Sequence, residues 1–183
     1  MRVIAGRFRG RRLKSPTWDG LRPTSDKLRE TLFNVLASRV VAARVFDGYA
    51  GTGAVGIEAI SRGAAHVTFV ERDRRATDLI AHNLAVCGIE QDYTIQCAEV
   101  GAALDALPVS DVFDLILLDP PYDIDRVPVV LAAAARRVTA GGLVVLEHAT
   151  RREPEVPAGL TRVRGIKSGD SSMTLLSRDS EGE

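Results

Sequence analysis

Sulfur and imidazole are scarce in this chain. Cys87 and Cys97 are its only cysteines, and its three histidines, His66, His82 and His148, are scattered. That makes no disulfide framework and no metal-ligand spacing, so neither a stapled scaffold nor a metal site is expected. No apolar run approaches the ~20 residues of a membrane span. The N-terminus carries charge without the apolar stretch of a secretory signal. These absences lead to the expectation of a soluble, cytoplasmic, reduced protein with no membrane partner; a monomer is expected separately. An excess of either charge is also lacking: 24 Lys and Arg stand against 24 Asp and Glu. The balance conceals an asymmetry. Residues 1–15 hold Arg2, Arg7, Arg9, Arg11, Arg12 and Lys14 and no acid, while Asp179, Glu181 and Glu183 close the chain. A basic arm of this kind suits a polyanion. With 183 residues, there is room for one domain with a sizeable core and a small appendage.

What is present centres on Asp114–Tyr122. Leu115 to Leu118 is a continuous apolar run, the mark of a strand buried on both faces of a parallel sheet. It stops on Asp119-Pro120-Pro121-Tyr122. Proline cannot donate to a ladder, and a residue before proline leans toward extended geometry. The expectation is a stiff loop at the carboxyl end of a strand, where open α/β sheets bind ligands. Such a loop suits chemistry on a nucleobase amine, whose lone pair is delocalised into the ring. The Asp119 carboxylate and the Pro120 carbonyl can each accept a hydrogen from the NH2 group and so aim the lone pair at an electrophile. Tyr122 is placed to stack on the base. Asp119, Pro120, Pro121 and Tyr122 are therefore the catalytic candidates.

A second constellation lies upstream. Arg44 to Asp47 reads as the first core strand, followed by Gly48-Tyr49-Ala50-Gly51-Thr52-Gly53 and a helix through Ile57–Ile60. Gly51-x-Gly53-x-x-Gly56 fits a dinucleotide fingerprint, a weak signal alone. A second strand, His66 to Val70, ends on Glu71, placed to hold a ribose diol. Strand, glycine turn, helix, strand and acid together point to a nucleoside. Pyrophosphate would need a helix N-terminus, whereas S-adenosylmethionine carries an amino group and a sulfonium. Asp47 supplies negative charge for that cationic end, which favours S-adenosylmethionine, with S-adenosylhomocysteine as product. Asp47, Gly48, Ala50, Gly51, Thr52, Gly53, Glu71, Arg72, Cys97, Ala98 and Asp119 are the cofactor-binding candidates.

The remaining elements follow in order. Residues 1–23 read as a basic β-hairpin extension, Arg2–Ala5 against Arg12–Lys14, and a turn-rich linker from Trp18 to Pro23. Arg7, Phe8, Arg9, Arg11 and Arg12, joined by Arg22, Thr24 and Arg29, are the RNA-binding candidates. Thr24 or Ser25 caps a helix carrying Leu28, Leu32, Val35 and Leu36 at helical spacing. A helix is expected over Asp73–Gly88, a strand over Tyr93–Gln96, and helices over Gly101–Leu107 and Val127–Val138. Gly141-Gly142 is read as breaking the last of these before a strand at Leu143–Glu147. Cys97 is read as a packed small residue rather than a nucleophile. Leu160–Arg164 and Ser172–Leu176 read as an antiparallel pair at the sheet edge.

With these motifs in place, the sequence resembles the class I S-adenosylmethionine-dependent methyltransferases, and more narrowly the RsmD family, which methylates guanine N2 in bacterial 16S ribosomal RNA. The resemblance covers nearly the whole chain. It rests on Arg2-Val3-Ile4-Ala5-Gly6 with Phe8–Leu13, on Leu21-Arg22-Pro23-Thr24 with Arg29–Asn34, and on Asp47 with Gly51-Thr52-Gly53. Glu71-Arg72-Asp73, Asp119-Pro120-Pro121-Tyr122 and Gly169-Asp170-Ser171 complete it. It implies a Rossmann-like α/β fold: a seven-stranded, mostly parallel sheet with an antiparallel last strand, helices on both faces, and an N-terminal hairpin that helps hold RNA. The methyltransferase domain would span residues 24–179. It implies Asp47, Gly51 and Gly53 at the methionine end, Glu71 at the ribose, Ala98 by the adenine, and Asp119, Pro120 and Tyr122 at the target amine. The implied substrate is 16S rRNA within a small ribosomal subunit or its assembly intermediate, with guanine 966 as the target. Cys97 departs from the Asp or Asn often found there, and Tyr49 replaces the usual Phe. Three rivals are an adenine-N6 or cytosine-N4 DNA methyltransferase, a nucleotide-dependent dehydrogenase, and a non-catalytic RNA-binding or assembly protein.

Overall fold

The computed structural model describes residues 1–18, 25–121 and 126–179. Seven strands form one sheet in the order β3-β2-β1-β4-β5-β7-β6. They are β1 (Arg44–Gly48), β2 (His66–Glu71), β3 (Tyr93–Cys97), β4 (Phe113–Leu118), β5 (Val138–Ala149), β6 (Leu160–Ser168) and β7 (Ser171–Arg178). Strands β1 to β5 pair in parallel, and β7 runs antiparallel to both of its neighbours. The expected architecture is therefore present, with the final hairpin at the edge.

Five helices cover the two faces: α1 (Asp26–Leu36), α2 (Ala54–Ser61), α3 (Arg74–Cys87), α4 (Val100–Ala106) and α5 (Val127–Ala135). None among the described residues is long and apolar enough to cross a membrane. Alternation along the strands splits the core. Val45, Leu115, Leu117 and Val145 meet Leu28, Ile57 and Ile80 of α1, α2 and α3 on one face. Phe46, Ile116, Leu118 and Val144 meet Leu104 and Leu131 of α4 and α5 on the other. There the Phe46 and Phe113 rings pack edge to face at 5.3 Å.

Local chemistry sets the boundaries. Ser25 caps α1, its hydroxyl accepting from the Leu28 N–H at 3.1 Å. Asp73 caps α3 through the Arg75 N–H at 2.9 Å, and Gly88 ends it in the left-handed region at φ 72°. Two elements differ from expectation. The helix expected to run to Val138 stops at Ala135, and Val138 already pairs with Phe113. Gly141-Gly142 lies inside β5, within a shift in register between Phe113 and Leu115. A Cβ on Gly142 would come within 2.8 Å of the Asp114 carbonyl, so the bulge can form only with glycine at its closest approach.

The second difference is the arm. The expected hairpin is present but short: it has one antiparallel bridge, Arg2 to Arg12, with the Val3 N–H on the Arg11 carbonyl and the Leu13 N–H on the Met1 carbonyl to either side. The backbone N–H groups of Ile4 and Ala5 do not extend a ladder; they donate to the two carboxylate oxygens of Glu58, on α2, at 2.7 and 3.0 Å. Ser61 continues the clamp, giving its hydroxyl hydrogen to the Ala5 carbonyl and accepting from the Phe8 N–H at 3.0 Å. Val3 and Leu13 are buried in the core cluster of α1 to α3. The arm is thus docked on the body by a polar hub and two apolar anchors.

Candidate functional site

The strand order reverses between β1 and β4, and the crevice at their carboxyl ends is where an open α/β sheet receives a ligand. Asp47 sits there on β1, buried at 4% exposure. Its Oδ2 accepts from the Gly56 N–H, in the first turn of α2, at 2.8 Å. Burial pushes its carboxyl from 3.8 up to about 7. The carboxylates of Asp119 and Glu71 push the same way, and the Gly56 hydrogen bond pulls against them. Asp47 pairs in register with Leu117, and alternation puts Asp119, two residues on, on the same face. Phe69 also pairs with Asp47, so Glu71 shares that face. Three carboxylates from three adjacent strands therefore look into one crevice, a field that suits an organic cation.

The turn between β1 and α2 brings backbone up to this crevice. Gly51 and Gly53 hold φ of 54° and 76°, and Tyr49 also sits at φ 62°. A tyrosine in that region costs on the order of 1 kcal/mol and marks a strained loop that its surroundings enforce. The Gly51 N–H donates to Glu71 Oε2 at 3.1 Å, and the Asp73 N–H donates to Oε1 at 3.0 Å. Glu71 is thereby fixed with lone pairs to spare, as a diol-binding carboxylate needs to be. Gly48 packs so tightly that an added Cβ would lie 2.8 Å from Leu118. Ala50 and Thr52 are buried beside the turn.

Around the far side, the Ala98 N–H donates to the Glu71 carbonyl at 3.0 Å, and Ala98 packs against the second core cluster. Arg72 is exposed and pairs with Glu99 at 3.4 Å. Cys97 is exposed at the end of β3, with its thiol 3.6 Å from the Arg72 carbonyl. This corrects the reading of Cys97 as a packed residue: β3 is the edge strand, and its tip is uncovered.

At the end of β4, the Asp119 N–H donates to the Gly48 carbonyl at 3.4 Å, tying the proline loop to the glycine turn. Pro120 is buried and Pro121 exposed. Beside them opens a cleft of about 290 Å³, lined among others by Pro120, Pro121, Val127, Glu147, His148 and Arg152. His148 is held by the Ala149 carbonyl and by the Thr174 hydroxyl, both at 2.9 Å. Tyr122, Arg22, Thr24 and most of the 18–23 linker lie outside the described residues.

The basic candidates separate into two groups. Arg7, Arg9, Arg11 and Arg12 are exposed on the arm. The Phe8 ring is half-buried against the core cluster, with the Arg7 guanidinium 5.1 Å from its centroid. Arg29 is different, and it corrects the reading of that residue as a substrate contact. It is fully buried and donates to the Arg2 carbonyl and to Asp26, so it has no route to a polyanion. Burial lowers its pKa, and the acids Asp26 and Glu58 oppose that shift. Its position on the apolar stripe beside Leu28 and Leu32 was the available signal. Sequence reasoning passed over Glu58 and Asn83, both fully buried. Asn83 was detectable as a polar residue spaced with Ile80 and Leu84 on the inner face of α3.

Comparison with known proteins identifies the family. Residues 1–177 match the family described as conserved hypothetical protein 95. Over 187 aligned residues the chain is 34% identical to ribosomal RNA small subunit methyltransferase D of Escherichia coli strain K12, covering 100% of this chain and 92% of that protein. It is 41% identical over 127 residues to the Haemophilus influenzae protein of the same name, covering 67% and 64% of the two chains. The solved structure of Escherichia coli yhhF superposes with a TM-score of 0.86 at 32% identity, covering 99% of each chain. The chain belongs to the conserved hypothetical protein 95 family, the RsmD family that its motifs resemble.

Proposed function

We propose that this protein is an S-adenosylmethionine-dependent methyltransferase that acts on the exocyclic N2 of a guanine in small-subunit ribosomal RNA, the base numbered 966 in that family's substrate. The observation that carries the reading is the Asp47–Gly56 hydrogen bond within a crevice of three carboxylates. It ties up an amide in the first turn of α2, where a pyrophosphate would dock, and it repels phosphate from that end. A dehydrogenase cofactor is disfavoured on both counts, whereas an ammonium and a sulfonium are attracted.

The donor set fits S-adenosylmethionine. Asp47 and the turn from Gly48 to Gly53 would hold its amino-acid end, Glu71 its ribose, and the backbone by Ala98 its adenine. When bound, the cofactor supplies a methyl group on a cationic sulfur, a strong electrophile. The protein's part is alignment. Asp119 and the Pro120 carbonyl accept the two amine hydrogens and stabilise the positive charge that grows on nitrogen. One proton then passes to Asp119 or to water. The cleft beside Pro120 and Pro121 offers the base a place once it has swung out of its stack. The exposed arm arginines supply phosphate contacts, which favours RNA handling by a short appendage over sequence-specific DNA reading.

Asp119→Ala tests the role of the loop. Losing one such partner costs roughly 100- to 1,000-fold in turnover, and binding of S-adenosylhomocysteine should persist within a few-fold. Labelled methyl transfer and calorimetry read the two quantities. Transfer at the wild-type rate would remove Asp119 from the chemistry.

A further inference from the structure

Asn83 is fully buried on α3 and spans two regions that the proposed function uses separately. Its Oδ1 accepts from the Lys14 N–H at 2.8 Å. Its Nδ2 donates to the Lys14 carbonyl at 3.2 Å and to the Thr52 carbonyl at 2.9 Å. One side chain thus pairs with the arm like a strand and also holds the middle of the glycine turn. A second contact runs in parallel: the Thr52 hydroxyl meets Met1 Sδ at 3.6 Å, and the Met1 carbonyl accepts from the Leu13 N–H at 3.2 Å. Both limbs of the arm therefore rest on Thr52.

Thr52 stands between Gly51 and Gly53, both at positive φ. Glycines admit many backbone conformations, so a turn built on them needs an external anchor to hold one shape. Glu71 holds the Gly51 N–H from the β2 side; Asn83 is the anchor at Thr52, and its remaining partners are on the arm. Anything that orders the arm also orders the turn, and the reverse holds by reciprocity.

We propose that Asn83 is a positioning residue that couples the arm to the glycine turn, so that RNA gripped by the arm and the methyl donor held by the turn bind cooperatively. The inference rests on the RNA methyltransferase reading. A residue that only cemented the fold would lower stability when changed, and it would leave the two ligands independent.

The test is a binding cycle on the full chain. S-adenosylhomocysteine is titrated by calorimetry alone and in the presence of a 16S rRNA fragment that spans the target guanine, and the fragment is titrated with and without S-adenosylhomocysteine. In the wild type each ligand tightens the other by the same factor, at least about five-fold, the lower end of ordinary coupling between sites. In Asn83→Leu, which is close in size and has neither donor nor acceptor, each ligand still binds and the factor falls to near one. Should that variant not fold, hydrogen exchange in the wild type carries the test: RNA slows exchange of the Gly53 N–H, which bonds the Ala50 carbonyl at 2.7 Å. Independent binding in the wild type with no slowing at Gly53, or an equal factor in the variant, overturns the coupling alone. A chain that binds neither ligand overturns the underlying reading as well.

Discussion

Two regions of this protein bury carboxylates, and they use them in opposite ways. At the joint between arm and body, Glu58 is fully buried and fully engaged, with the Ile4 and Ala5 N–H groups and the Arg62 guanidinium on its oxygens. At the carboxyl edge of the sheet, Asp47 is almost as buried and has one hydrogen bond, from Gly56, with two further carboxylates close by. Glu58 closes a structure, because every demand its charge makes is met from within the chain. Asp47 is left in want of a cation: burial, helped by the carboxylates of Asp119 and Glu71, raises its carboxyl to about 7. Burial by itself marks neither role; the difference lies in whether the protein supplies the counter-charge.

The sharpest way to break this contrast is at the joint. Glu58→Leu strands two backbone N–H groups and removes the counter-charge of Arg62 beside the buried Arg29, so it should cost about 3–5 kcal/mol of stability. Chemical denaturation reads that loss, and a variant as stable as the wild type would deny the hub its role. At the edge, the sign is reversed. A carboxyl raised in the fold above its usual value favours the folded state below pH ~4, and that contribution is lost as pH rises through about 7. Asp47→Asn should therefore stabilise the unliganded protein at pH 8 and weaken S-adenosylmethionine binding. In the wild type, affinity for S-adenosylmethionine should rise roughly ten-fold from pH 6 to pH 8, with proton release on binding. A flat profile in calorimetry would separate Asp47 from the cationic end. The smallest effect is expected on the arm. Arg9→Ala should lower the slope of log affinity against log salt for RNA by about 0.7–0.9 for each phosphate that the arm no longer neutralises. Arg29→Met should leave that slope alone and act on stability instead.

The order of strands and helices was legible because local signals agreed. The apolar run of β4 ends on prolines, Ser25 and Asp73 stand as caps, and Gly88 closes α3. The edge site was legible too, since Asp47, Glu71 and Asp119 each end a strand in the sequence and the parallel fold then brings strand ends together. The joint was not. Glu58 on a short helix looks like a solvated charge, and the apolar stripe that holds Arg29 does not name its partner; what engages them is backbone from about 54 and 27 residues away. Hydrophobic periodicity carries no information about such a partner. The same limit hid the bulge in β5, where Gly141-Gly142 looks like a breaker until a neighbouring strand demands close approach.

The carboxylate edge, as an apparatus for presenting a base amine to a methyl donor, is tested most directly by mapping the product. Labelled S-adenosylmethionine is supplied to the wild-type protein with small ribosomal subunits lacking the modification, and the labelled nucleotide is identified. The label should fall on the N2 of a single guanine. Label on adenine N6 or cytosine N4, or the absence of transfer to RNA from a chain that binds the donor, would contradict the account.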